Sequence, residues 1–179
     1  MLLSFAIWVQ NTPFFTYLRG SPSYWYPVIL SLHMIALAFF GGMILMTDLR
    51  LLGWAMRKRP VADIVNQLRV PKRIGLVIAV ALGLLLLGAK AEVYYFNIFF
   101  RIKATLLVLV GLHAMIFRNS VYNSPYNNAA DINKAPEVPC RAKLAAGLSL
   151  LLWIGIFSAG RGIGYLWIPG GMHLAPYFP

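Results

Sequence analysis

Two histidines lie inside apolar stretches of the chain, and imidazole is the side chain there with the most versatile chemistry. His33 and His113 are each flanked by aliphatic residues on both sides. Ionisable side chains at membrane depth are costly and usually mark functional sites. Neutral imidazoles facing each other across a helical bundle can also ligate haem iron. His33 therefore has two interpretations, an axial haem ligand or a packing residue bonded to a neighbouring helix.

The two histidines are predicted to lie at different depths. Measured from the midpoints of their helices, His33 is about four residues outward and His113 about four residues inward, an offset of about 12 Å. A haem with two histidine ligands requires similar depths, so the offset argues against the pair. Boundary shifts of about two to four residues would remove half of the gap or more. His113 stays a candidate second ligand, and His173 in the outer tail is another.

Small residues accompany His33 on its predicted helix face. Ala36 and Gly41 share this face by helical spacing and would leave room for a flat ligand beside the imidazole. Asp48 lies on the same face, near the other end of the helix. The pattern predicts that His33 faces the interior of the bundle.

Basic residues are predicted on the outer side of the same region. Arg101 and Lys103 begin the third apolar segment, and Arg161 lies near the outer end of the fourth. These cations could neutralise haem propionates. Alternatively, Arg101 and Lys103 extend to lipid headgroups, and Arg161 pairs with a lipid phosphate or with Glu92.

The composition excludes most soluble protein classes. Of 179 residues, 60% are hydrophobic and only 12% are charged, with a mean hydropathy of +0.70. Soluble domains carry roughly 25% charged residues. The single cysteine, Cys140, excludes an internal disulfide, and no Cys-x-x-Cys-His motif exists for covalent haem attachment. No metalloprotease or serine-hydrolase motif occurs, which favours a non-catalytic role.

Four apolar segments are long enough to cross a bilayer, which needs about 20 residues of helix. We predict an all-α, integral membrane four-helix bundle that forms a single domain over residues 1–179. Residues 2–18 are too interrupted to span and predict an interfacial helix. The predicted spans cover residues 26–47, 74–95, 98–117 and 144–167.

The basic residues predict the orientation of the bundle. The formal net charge is +11, and eleven of the 16 Lys and Arg residues fall between spans one and two or between spans three and four. The positive-inside rule places these loops in the cytoplasm and both termini outside. Such placement indicates contact with lipid headgroups and not with nucleic acid.

One small-residue pattern concerns helix packing. Gly75, Ala79 and Gly83 recur every four residues on the second span. This spacing permits close helix approach in lipid. It predicts packing within the bundle, with a homodimer face as the alternative.

Several motifs resemble an uncharacterised family of bacterial four-helix membrane proteins. The resemblance rests on Ser23 to Pro27, His33, Gly42 to Gly53, Phe100 to Lys103 with Leu106 to Phe117, and Ala159 to Arg161, and it covers most of the chain. The layout is distantly similar to copper-resistance protein D and to small b-type cytochromes. The resemblance implies a multi-pass protein of the bacterial inner membrane. An asparagine often stands in this family at the position of His113, so a second ligand there would be particular to this chain and its close relatives.

Three functions are compatible with these residues. The first is a redox subunit in which His33 binds haem b, with electrons passing to or from a quinone or a partner protein. The second is a cofactor-free structural or assembly subunit of a larger membrane complex or homo-oligomer. The third is a small transporter or ion-handling protein, although transporters usually need more helices or oligomerisation.

Overall fold

The protein is all-helical in a computed structural model, which describes residues 1–20, 24–56, 59, 61–122 and 138–165. No strand occurs within these ranges, so the all-α prediction is confirmed. The helices of the described residues are α1 (Leu2–Gln10), α2 (Pro13–Arg19), α3 (Trp25–Leu52), α4 (Val61–Ala89), α5 (Ala91–Phe96), α6 (Ile98–Tyr122) and α7 (Cys140–Tyr165).

Four of these helices, α3, α4, α6 and α7, are long and apolar enough to cross a membrane. The chain is therefore a membrane protein, as its composition predicts. Each helix continues past its predicted span at the end that carries the basic loops, because helical backbone need not stop where the hydrocarbon does. The predicted end of the fourth span and His173 lie outside the described residues.

Local chemistry sets the ends of the long helices. α3 ends at Gly53, whose φ of 77° lies in the left-handed region that glycine adopts without strain. α4 ends at Ala89, earlier than the predicted residue 95, because Lys90 leaves the helical region with φ −134°. The buried Asn97 then caps α6 by accepting hydrogen bonds from the backbone N–H groups of Phe99 and Phe100 at 2.9 and 3.2 Å.

The predicted interfacial helix is two short helices. The chain breaks at Asn11 and Thr12, and Pro13 begins α2, where a missing backbone N–H is tolerated. Both helices lie against the end of α4. Gln10 and Glu92 exchange two hydrogen bonds of 2.8 and 3.0 Å that join α1 to α5. We call this end of the bundle, formed by α1, α2 and α5, the cap end.

The opposite end is the loop end, where α3 and α6 finish and α4 and α7 begin. α3 packs against α4 and against α7, and α7 packs against α6. Three apolar clusters follow the bundle from the cap end to the loop end. They are centred on Leu18, Ile29 and Leu86, then on Phe40, Trp153 and Ile156, and finally on Leu51, Val65 and Ala142.

Small residues of α4 face α3, as the packing interpretation predicts. A Cβ on Gly75 would lie 3.4 Å from Phe40 Cβ, and one on Gly83 would lie 3.1 Å from His33 Cε1. Ala79, between them, is 4% exposed. The prediction that this pattern serves packing within the bundle is confirmed.

Candidate functional site

His33 is buried in the cap-end half of α3 and points at α4. Its ring donates a hydrogen bond to the backbone carbonyl of Ala79 and lies over Gly83. Only 9% of the residue is exposed. Its Nδ1 atom is buried and has no hydrogen-bond partner within the described part of the chain. The imidazole is therefore fixed through one nitrogen while the other keeps its lone pair.

The space that holds the His33 ring exists because two small residues of α4 lie one helical turn apart. Ala79 and Gly83 lie on the same face of α4, and side chains of their size leave space for a ring between the two helices. The space predicted beside Gly41 is filled, because a Cβ there would lie 2.8 Å from Cζ of Phe157 on α7. A flat ligand beside His33 would therefore have to displace that ring or lie elsewhere.

Lys103 is the predicted basic residue that the structure brings to His33. It extends from α6 and lies close enough for its charge to act on the imidazole. Its Nζ also lies 3.7 Å from the position that a Cβ on Gly160 of α7 would take. The half-buried ammonium thus joins α3, α6 and α7 on the cap-end side.

The two predicted arginines lie at the outside of the same region. Arg161 directly follows Gly160, and its side chain is exposed. Arg101 is also exposed, and its Nε donates to the backbone carbonyl of Tyr95 at 3.4 Å. Both arginines therefore lie at the surface of the bundle, whereas the charge of Lys103 acts on the imidazole.

His113 occupies a different interface. Its Nε2 lies 3.0 Å from the carbonyl oxygen of Ala145, so it joins α6 to α7. Its ring packs on Phe117, with ring centroids 4.8 Å apart. Lys103, which lies near His33, is on the same helix ten residues earlier, a rise of about 15 Å. The structure therefore places His33 and His113 in different helix interfaces.

His33 by itself fits the position of a metal ligand. Metal-binding histidines usually donate their second ring N–H to a carbonyl or carboxylate, which fixes the tautomer and the ring orientation. The bond to Ala79 supplies this contact, and Nδ1 has no partner among the described residues. No group of three or more His, Cys, Asp or Glu residues that could hold a metal ion occurs in the described ranges.

Polar residues at the cap end have structural partners. Lys90 lies over the ring of Tyr26, with its Nζ 4.5 Å from the ring centroid, and burial lowers the pKa of this lysine. Glu92 accepts the amide of Gln10. In the structure, Glu92 holds α1 through its two hydrogen bonds with Gln10.

A second polar group was not identified from the sequence. Thr47 and Asp48 of α3 are buried in the loop-end half, next to Lys72 of α4 and Ser149 of α7. The signal was a carboxylate on the inward face of an apolar helix. Its partners could not be assigned, because Lys72 lies in a basic segment that the sequence presents as a loop.

One comparison with known proteins gives a match. A family model described as "Family of unknown function (DUF6644)" matches residues 5–166, which include every described element of the bundle except the first residues of α1. No curated protein and no solved structure matches the chain significantly. The chain is a membrane protein in which the buried His33 bonds the carbonyl of Ala79 and the buried carboxylate of Asp48 lies near Lys72. Because of the match over residues 5–166, it belongs to this family of unknown function.

Proposed function

We propose that this protein is a membrane redox subunit that binds haem b through His33 and passes electrons to or from a quinone or a partner protein. The single observation that supports the proposal is the state of the His33 ring. One nitrogen donates to Ala79 and the other is buried without a partner among the described residues. A buried nitrogen with a free lone pair is disfavoured unless it accepts a bond.

Each residue of the site has a defined task under this proposal. Haem supplies one-electron chemistry when it is bound. His33 would hold the haem, and Ala79 fixes the orientation of the imidazole ring. Lys103 and Arg161 offer cations for the propionates, with Arg101 further out at the same end. His113 holds α6 against α7, and any second protein ligand would come from another residue, such as His173.

The location belongs to the same proposal. We place the protein in the bacterial inner membrane with the loop end in the cytoplasm and both termini in the periplasm. The eleven basic residues between the spans support this orientation. Arg101 and Arg161 would then lie on the periplasmic side and would offer cations to the propionates there.

An absorption spectrum of the purified protein, oxidised and then reduced with dithionite, tests the proposal. The wild-type protein should show the Soret and reduced bands of haem b, and His33→Ala should lose them. His113→Ala is the matched control, since it also removes a bond between a histidine and a backbone carbonyl, but between α6 and α7. It should keep the wild-type haem content.

Full haem content in the His33→Ala protein would contradict the proposal. Equal loss in both histidine variants would contradict the single-ligand assignment and indicate either a shared haem or a general folding defect. The elution volume of each variant in size-exclusion chromatography separates these two explanations, because a misfolded membrane protein aggregates.

A cofactor-free structural subunit is the second candidate, and one observation favours it. His33 and His113 make the same kind of contact, each joining neighbouring helices through a backbone carbonyl. Hydrogen bonds of this kind stabilise helix pairs in lipid by about 0.6 kcal/mol on average. This candidate predicts a colourless protein after expression with excess haem, together with co-purification of partner subunits.

A further inference from the structure

A second buried polar group lies in the loop-end half of the membrane bundle, away from His33. It consists of Thr47 and Asp48 on α3, Lys72 on α4 and Ser149 on α7, and we call it the Asp48 site. Asp48 is 7% exposed and Thr47 is 4% exposed. The proposed haem function uses none of these residues. Buried ionisable groups inside a membrane domain carry a large solvation cost and usually mark ion or proton pathways.

The hydrogen bonds of the Asp48 site leave one acceptor without a donor. Ser149 donates to the Asp48 carboxylate. Lys72 donates a hydrogen bond through Nζ to the hydroxyl oxygen of Thr47. The Thr47 hydroxyl in turn donates a hydrogen bond to the carbonyl of Met43 at 3.0 Å. The Oδ2 atom of Asp48 is buried and has no hydrogen-bond partner in the part of the chain that the structure describes. A carboxylate oxygen in this position can take a proton.

Charge decides which ligand suits this oxygen. Lys72 lies close enough for its charge to act on Asp48, so a positive group already faces the carboxylate. A second, free cation would be repelled by this ammonium, and Ca²⁺ or Na⁺ would also need several oxygen ligands. A proton needs one lone pair and forms a covalent O–H bond. It is therefore the ligand that this geometry accepts.

Among the charged side chains that the structure describes, Lys72 is the one placed beside Asp48. On α3, Arg50 turns away to donate to the carbonyl of Arg59 at 2.8 Å. On α4, Arg69 and Arg73 are exposed. Between Lys143 and Arg161, α7 contains no titratable residue. On α6, the described His113 is bonded to Ala145, which lies one turn before Ser149.

We propose that Asp48 is a proton-binding site within the membrane domain, with Lys72 as its counterion and Ser149 orienting the carboxylate. An O–H bond forms at Oδ2 with a proton from water at the loop end and breaks to return it, and no electron is transferred. The route is short, since Asp48 precedes the end of α3 by four residues, or about 6 Å. The proposal does not depend on haem binding.

Infrared difference spectroscopy of the full chain in lipid nanodiscs tests this assignment directly. Spectra recorded at a series of pH values should contain a C=O band of a buried protonated carboxylic acid in the wild type. This band should be absent from Asp48→Asn. Asp63→Asn is the matched control, because Asp63 is an exposed aspartate at the start of α4. It should retain the band with an unchanged midpoint.

Lys72 provides the second arm of the test. Lys72→Met removes the positive charge that favours the ionised carboxylate, so the midpoint should move to higher pH by about one unit or more, a tenfold gain in proton affinity. Lys72→Arg should return it towards the wild-type value. These variants keep Asp48, so the test holds even if Asp48→Asn does not fold. An unchanged band in Asp48→Asn, or an unchanged midpoint in Lys72→Met, would overturn the proposal.

Discussion

The two histidines of the membrane helices show how little room a single side chain has in this bundle. His33 fits between Ala79 and Gly83 because one of these residues offers a carbonyl and the other offers no side chain. Interiors packed at protein density respond to the addition of even one methyl group. The orientation of the imidazole is thus set by residues of α4 and not by α3 alone.

A methyl group on Gly83 should displace the His33 ring from its position between α3 and α4. In Gly83→Ala, the new Cβ would lie 3.1 Å from Cε1 of the ring, so the ring must shift and its bond to Ala79 weakens. We expect a loss of about 1 kcal/mol in the free energy of unfolding, the net worth of one hydrogen bond. Thermal unfolding in a mild detergent measures the loss, and nitrogen NMR of the imidazole reports the broken bond.

Gly75→Ala is the control for this variant. It lies two helical turns earlier on the same face of α4, and its Cβ would meet Met43 and Phe40 at 3.4 Å, an ordinary contact distance. Its stability should stay near that of the wild type. If both variants lose stability equally while the imidazole signal is unchanged, His33 does not depend on Gly83.

The short helices of the cap end are positioned by the long ones. Phe15 of α2 covers Gly88 of α4, and Arg19 donates to the carbonyl of Ala89 at 3.4 Å. α2 has seven residues, too few to be stable as an isolated helix in water. Its conformation therefore depends on this docking.

Gly88→Ala should release α2 from the bundle. The added Cβ would overlap the ring of Phe15, which the surrounding residues hold in place. Overpacking of this kind costs about 1–3 kcal/mol. Hydrogen exchange followed by mass spectrometry should show faster exchange across residues 13–19, with little change in α6.

The control for α2 docking is Gly42→Ala, because a Cβ at Gly42 would have no neighbour within 4 Å. Exchange in α2 should not change in this variant. Phe15→Ala removes the atoms that clash with the new Cβ. The double variant Gly88→Ala/Phe15→Ala should therefore lose no more stability than Phe15→Ala alone. Protection of α2 in Gly88→Ala equal to that of the wild type would contradict the docking role.

The two ends of the whole molecule differ in charge and in construction. The cap end carries three short helices with exposed aromatic residues such as Phe5 and Trp8. The loop end carries most of the basic residues. Aromatic residues favour the membrane interface, and Lys and Arg are retained in the cytoplasm during insertion. The structure places α1 and the end of α7 at the same side of the bundle.

The lone cysteine provides a test of this orientation. Cys140 is exposed at the start of α7, at the loop end. A membrane-impermeant maleimide added to intact spheroplasts should leave it unlabelled, and lysis should expose it. Thr16→Cys in a Cys140→Ser background should show the reverse, because Thr16 is exposed at the cap end. Labelling of Cys140 from outside would reverse the proposed topology.

The sequence predicts more about the His33 site than about the Asp48 site. The sequence predicts that His33 faces the interior of the bundle, because an ionisable residue within an apolar segment can be recognised without knowing the fold. The partners of Asp48 were not predicted, since they come from three helices and Lys72 lies in a segment whose charges resemble a loop. α4 extends through this segment because its first turns pack Val61 and Val65 against α3 and α7.

The sequence by itself determined that this protein is an α-helical membrane protein, because the length and hydropathy of a segment are local properties and lipid leaves its backbone no alternative to helix. It also identified His33 as an ionisable residue that faces the interior of the bundle. Only the tertiary structure decided how these residues meet. It placed His33 on Ala79, His113 on Ala145 and Asp48 beside Lys72. The rotation and depth of each helix depend on packing against its neighbours, and that packing involves residues distant in the chain.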